Sequence, residues 1–267
     1  MLAPLVLLQI VALPWLARGD QRIINGNTVN IKDAPWHASI IVRSQLQCGG
    51  AIISKNYILT AAKCVDGYNA GDIQVRLGTS SCGTGGSKFG ICEVKVHSQY
   101  SNWRFDNNLA LLKTCEQLNA TDEIKPIERA NKLPADNSRA NVTGCGSRSG
   151  HWIDLIWDRR LSRSSGIQEK CWRLPVQLHG TQVQILSQKQ CAADWSGIQF
   201  YLLTGISDLT ICTKSPDKGA CSSDKGAPLV IDNKLVGILS RAGCAIKPDV
   251  YANLLGHTNW LNSNTKD

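Results

Sequence analysis

The chain has 267 residues, of which 43% are hydrophobic and 19% charged, a balance that excludes a disordered or fibrous protein. Its formal net charge of +8 is spread without any long basic run, which argues against a nucleic-acid site and leaves anionic proteins or polyanions as the partners that charge alone would favour. Residues 2–16 form the single long apolar run, too short and too interrupted by Gln9 and prolines to span a bilayer. With the small residues of Ala17-Arg18-Gly19 behind it, this run predicts a signal peptide over 1–19 and a secreted product with no membrane segment. Asp20-Gln21-Arg22 then reads as a short propeptide.

Short β-type segments follow in chain order. WHASIIV (36–42), GGAIIS (49–54), YILTAA (57–62) and IQVRLG (73–78) come first, then LALLKT, ANVTGC, VQILS, LTICT, APLVI, KLVGILS and DVYANLL. Many short strands with no helix alternating between them predict an all-β protein of barrels or sandwiches. Helix is expected only near the end, around HTNWLN. A polar, proline-containing stretch near Arg129–Ser138 would join two halves, about 23–130 and 131–267. One stretch stands apart, 146–174, rich in tryptophan and arginine and without useful strand alternation; loops of that length are usually functional or disordered.

Eleven cysteines suit an oxidising compartment, and their odd number leaves at least one thiol over. Asn119-Ala-Thr121 is the better of two glycan sequons; Asn141-Val-Thr143 opens an apolar strand. The five histidines (His37, His97, His151, His179 and His257) show no metal-ligand spacing and are read as structural, so neither a metal nor a cofactor is expected.

Four landmarks occur in order: RIING from Arg22, ILTAAKC ending at Cys64, FDNNLALL over 105–112, and ACSSDKGAPLV closing at Val230. Together they resemble the chymotrypsin/trypsin-like serine proteases over about residues 23–262. The resemblance implies two six-stranded antiparallel barrels with a short C-terminal helix and an active cleft between them. That family attacks a peptide carbonyl with a serine, a histidine takes the proton, and an aspartate orients the histidine. The matching positions here are Lys63, Asn108 and Lys225, so all three groups are replaced. A protonated amine is no nucleophile and has no accepting nitrogen, and an amide cannot neutralise a cation. Asp106 would share a face with Asn108 but lie about 7 Å along the strand, out of reach as a substitute. A serine–lysine dyad through Ser222 or Ser223 is the alternative nucleophile, though neighbours inside a tight turn point apart. The resemblance therefore implies a catalytically dead homologue that binds an extracellular protein, such as a protease or its substrate. Residual hydrolase activity and polyanion binding are the competing expectations.

Further expectations rest on the same resemblance. Arg22-Ile23 matches the activation site and Asp224 the aspartate that receives the freed terminus. Gly219, Ser240, Arg241 and Asp249 match the walls of the specificity pocket, with Asp249 where glycine is usual. Cys48–Cys64, Cys191–Cys212 and Cys221–Cys244 match three usual bridges. Apart from the resemblance, Cys82 and Cys92, ten apart in a Gly-rich hairpin, are expected to pair; Cys145–Cys171 would tie off the long loop and leave Cys115 free or intermolecular. Trp152, Trp157, Trp172, Arg159 and Arg160 on that loop are the candidate contact residues, being of the types richest in interface hot spots.

Overall fold

A computed structural model describes residues 23–145, 177–196, 205–221 and 224–265. Six antiparallel strands close the first barrel in the order β2-β3-β4-β7-β6-β5. They are β2 (His37–Val42), β3 (Gln45–Ile52), β4 (Tyr57–Thr60), β5 (Ile73–Leu77), β6 (Ser87–Val96) and β7 (Ala110–Thr114). The second barrel contains β8 (Arg139–Gly144), β9 (His179–Leu186), β10 (Thr210–Lys214), β11 (Pro228–Ile231), β12 (Lys234–Arg241) and β13 (Asp249–Asn253). Its order is β9-β10-β13-β12-β11-β8, closed by β8 on β9, while β1 (Asn27–Thr28) pairs with the start of β9. The two expected barrels are therefore present.

Strand identity follows burial. In β5, Ile73, Val75 and Leu77 point inward and Gln74 outward; in β8, Ala140 and Val142 point inward and Asn141 outward. This period of two fixes register, since a one-residue slip would turn each apolar set to solvent. Two hairpins close with two-residue turns, Arg43–Ser44 and Asp232–Asn233, in which both residues have positive φ. That is the type I′ signature, whose twist suits adjacent antiparallel strands.

Two elements depart from the sequence reading. Strand β6 keeps only Ile91 fully buried along ten residues, and a bulge between Ile91 and Glu93 breaks the apolar alternation into Phe89–Ile91 and Val94–Val96, out of phase with each other. Helix α1 (Gln188–Trp195) was not expected, because only Cys191 and Trp195, four apart, are buried. Its start is fixed by the Ser187 side chain, which accepts from the Gln190 N–H. The C-terminal helix α2 (Thr258–Asn264) is where the sequence put it.

The expected bridges Cys48–Cys64, Cys191–Cys212 and Cys221–Cys244 form. The pairing of Cys82 with Cys92 is wrong: Cys92 lies on β6 opposite Cys115, just beyond the end of β7, and bridges to it. Cys82 sits before that strand and bridges Cys145 at the end of β8, tying the first barrel to the second. Cys115 is thus not free, and Cys145 is not available to Cys171, which lies outside the described residues. Closeness in sequence misled here, because the hairpin arms diverge and each cysteine meets another strand.

Candidate functional site

The three replaced positions meet where the barrels face each other. Lys63 lies on a 3-10 turn (Ala62–Cys64) directly after β4, and Cys64 is bridged to Cys48 on β3. The next residue of β3, Gly49, donates its N–H to the Lys225 carbonyl at 2.8 Å. Thr60 donates to the Gly49 carbonyl at 2.7 Å. A Cβ on Gly226 would collide with that carbonyl and with Thr60 Oγ1, and Gly226 has φ 79°. Only glycine lets the turn behind Lys225 pack this closely. Lys225 is therefore held at the tip of a tight turn against the first barrel, with its side chain half-buried.

Asn108 is the buried hub. Its Oδ1 accepts from the Lys63 backbone N–H at 2.9 Å, and its Nδ2 donates to Ser240 Oγ at 2.9 Å. Ser240 in turn donates to the Phe105 carbonyl at 2.6 Å. Proton counting makes the chain specific for an amide. A carboxylate at 108 would need Ser240 to turn its hydrogen inward, and the Phe105 carbonyl would lose its donor. Sequence reading found Asn108 and Ser240 but not the Phe105 carbonyl, for which no side-chain signal exists.

Asp106, the near miss two residues away, is spoken for. Arg104 grips it with two parallel hydrogen bonds, Nε to Oδ1 at 2.8 Å and Nη2 to Oδ2 at 2.6 Å. The Asp106 side chain is buried and the guanidinium half-exposed, so this pair braces the β6–β7 connection and leaves no carboxylate for the cleft.

The residues expected to wall the specificity pocket lie close together. Asp249, at the start of β13, is buried and accepts from the Ala220 N–H (2.9 Å) and the Gly243 N–H (2.7 Å). A Cβ on Gly219 would stand 2.9 Å from Asp249 Oδ2, so the acid rests against the glycine wall. Burial pushes the Asp249 carboxyl up to about 7; the two backbone donors resist that rise and the nearby Asp224 carboxylate adds to it. Arg241 ends β12 beside this wall, paired in the sheet with Val250.

Beneath the turn, Asp224 is also buried, accepts from the Cys221 N–H at 3.0 Å, and packs so tightly on Gly144 that no Cβ would fit there. Ile23 is fully buried in the second barrel's core with Ala140 and Val142, and the Ile24 N–H donates to the Gly219 carbonyl at 2.8 Å. Asn119 is exposed on the connection after β7, and Asn141 is exposed on β8. Arg22, Ser222, Ser223, Trp152, Trp157, Arg159, Arg160 and Trp172 lie outside the described residues. Among the described residues, no cluster of three or more metal-ligating side chains occurs, and no helix is long and apolar enough to cross a membrane.

Comparison with known proteins agrees with this geometry. The family model described as Trypsin matches residues 23–261. Trypsin delta of Drosophila melanogaster is 34% identical over 248 residues, covering 92% of this chain and 89% of its own length. Hypodermin-B of Hypoderma lineatum is 33% identical over 250 residues, with 92% and 89% covered. Among solved structures, the scabies mite inactivated protease paralogue S-D1 superposes with a TM-score of 0.76 at 23% identity, covering 90% of this chain and 96% of that one. Mouse neuropsin gives 0.73 at 24% identity, covering 91% and 100%. Two closed six-stranded barrels, the ordered landmarks and these matches agree: the chain belongs to the trypsin family of serine proteases.

Proposed function

We propose that this trypsin-family protein is secreted, catalytically silent and active through binding, as a cofactor, decoy or regulator of extracellular proteolysis. The observation that carries the reading is the chemistry of the three seats: ammonium groups at Lys63 and Lys225, and a buried amide at Asn108 whose hydrogen bonds suit an amide better than a carboxylate. Loss of such a triad costs on the order of 10⁶ in turnover. Asp106 offers no rescue, being committed to Arg104. That a protein of this fold is described as an inactivated protease paralogue supports the reading by precedent. Five disulfides support an extracellular site of action, with the leader over 1–19 and a glycan at Asn119 as parts of the same proposal.

Maturation belongs to the proposal too. Ile23 is buried in the second barrel and Asp224 is buried behind the turn, the two parts that a cut after Arg22 would join as an ammonium–carboxylate pair. Amino-terminal sequencing of the secreted protein should begin at Ile23; a start at Asp20 would rule maturation out.

The contact residues proposed are Trp152, Trp157, Trp172, Arg159 and Arg160, together with Lys63 and Lys225. Affinity capture from the native extracellular fluid tests this, using the intact chain beside a version lacking residues 147–170. A protein retained by the first and lost by the second is expected; equal retention by both would remove the loop from the account.

A further inference from the structure

Behind the cleft, three elements meet through two buried histidines. His97 follows β6, and His257 immediately precedes α2. Their rings stand edge to face with centroids 5.3 Å apart, and Trp260 of α2 lies 4.8 Å from the His97 ring. Both residues are buried, at 7% and 3% exposure.

Hydrogen-bond counting at His257 shows a conflict. Its Nδ1 is 2.6 Å from the Asn253 carbonyl, which can only accept, so Nδ1 carries a hydrogen. Its Nε2 is 3.1 Å from the Asn107 side-chain oxygen, a second acceptor. A neutral ring has one hydrogen, already committed to Asn253. The neutral ring therefore requires the Asn107 amide to present its NH₂ group, and the charged ring requires it to present its oxygen. The proton on His257 and the orientation of Asn107 are locked together. His97 accepts from the Gln99 N–H at Nδ1 (3.2 Å), so its own hydrogen, when neutral, is on Nε2.

We propose that His97, His257 and Asn107 form a proton-operated latch, which fastens α2 to the β6–β7 connection at neutral pH and releases it in acid. The inference stands apart from the proposed binding role. Burial, first, holds both rings below the ordinary histidine value, and for His97 the charge on His257 adds to that. Among the described residues the charged groups facing the pair are Asp106, which draws protons toward both rings, and Arg104, which grips Asp106. One proton is accommodated by turning the Asn107 amide. A second would place two cations 5.3 Å apart in a buried site, and separating α2 relieves it. Asn107 has φ 55° and directly precedes the Asn108 hub, so release of the latch reaches the backbone that frames the cleft.

Amide hydrogen exchange on the disulfide-intact protein, corrected for intrinsic rates, tests the latch between about pH 7.5 and 5. The informative amides are Leu261, bonded to the His257 carbonyl, and Thr265, bonded to the Leu261 carbonyl. Their protection should fall by up to about tenfold per pH unit below 6.5 for each proton excluded, while amides of β4 and β7 hold theirs. The fall should vanish in His97→Phe/His257→Gln. Flat protection in the wild type, an unchanged fall in the variant, or parallel loss in β4 and β7 would each overturn the proposal. Should the variant not fold, imidazole NMR titration of the wild type decides. Two mutually shifted titrations below 6.5 are expected; ordinary, independent titrations at or above 6.5 would refute it.

Discussion

Asp249 makes a quantitative prediction about pH. Its carboxyl is displaced from 3.8 to about 7, chiefly by burial, and one pH unit of displacement corresponds to about 1.4 kcal/mol. The sign follows from proton counting: between these values the folded state holds a proton that the unfolded chain has released. Stability contributed at this site therefore falls as pH rises from 3.8 toward 7, by roughly 4 kcal/mol in all, and is constant above. Wild-type stability alone would hide this. His37 is buried and lowered from 6.5 to about 4, so it loses stability in the opposite direction across nearly the same window. The informative quantity is the difference between Asp249→Asn and the wild type in urea unfolding at several pH values from 4 to 8. Asparagine leaves one of the two backbone donors, Ala220 or Gly243, facing an NH₂ group, a penalty of about 1–3 kcal/mol that does not vary with pH. On top of that offset, the variant should gain on the wild type by roughly 4 kcal/mol between pH 4 and 7 and by nothing further above. A difference that is flat with pH, or that runs the other way, would refute the buried-acid reasoning.

Three shorter predictions accompany it. Asn108→Asp should lower stability near neutral pH by about 1–3 kcal/mol in thermal or urea unfolding, because it strips the Phe105 carbonyl of its donor; a neutral result would mean that the hub accepts an acid as readily as an amide. Gly226→Ala should cost several kcal/mol or prevent folding, since its Cβ would meet the Gly49 carbonyl and Thr60 at a positive φ; near-wild-type expression and melting would contradict the turn as drawn. Ten of the eleven cysteines pair within the described residues, so alkylation of the unreduced, denatured protein should modify Cys171 alone or reveal it in a disulfide between chains. Labelling at Cys82, Cys92, Cys115 or Cys145 would break the pairing scheme.

Much of the fold was legible because alternation does its own accounting: β5 and the first half of β8 bury every second residue, and the all-buried β2 carries the apolar run Ile40–Val42. Strand β6 was illegible because a bulge between Ile91 and Glu93 puts its two apolar pairs out of phase, and Phe89, Val94 and Val96 pack on the core while only partly buried. The seats at Lys63, Asn108 and Lys225 were found through their flanking motifs. What they do could not be read that way, since the Asn108–Ser240–Phe105 relay joins residues more than 130 apart. Likewise, nothing in a one-dimensional pass relates His97 to His257, and the histidines looked structural until the fold set their rings against each other.

The central claim is that the cleft no longer performs peptide hydrolysis. Mature, rigorously purified protein should be assayed against a peptide library and a fluorophosphonate probe, beside a Lys225→Ala variant. Neither turnover nor labelling above that variant is expected. Steady cleavage that disappears when Lys225 is replaced would contradict the account.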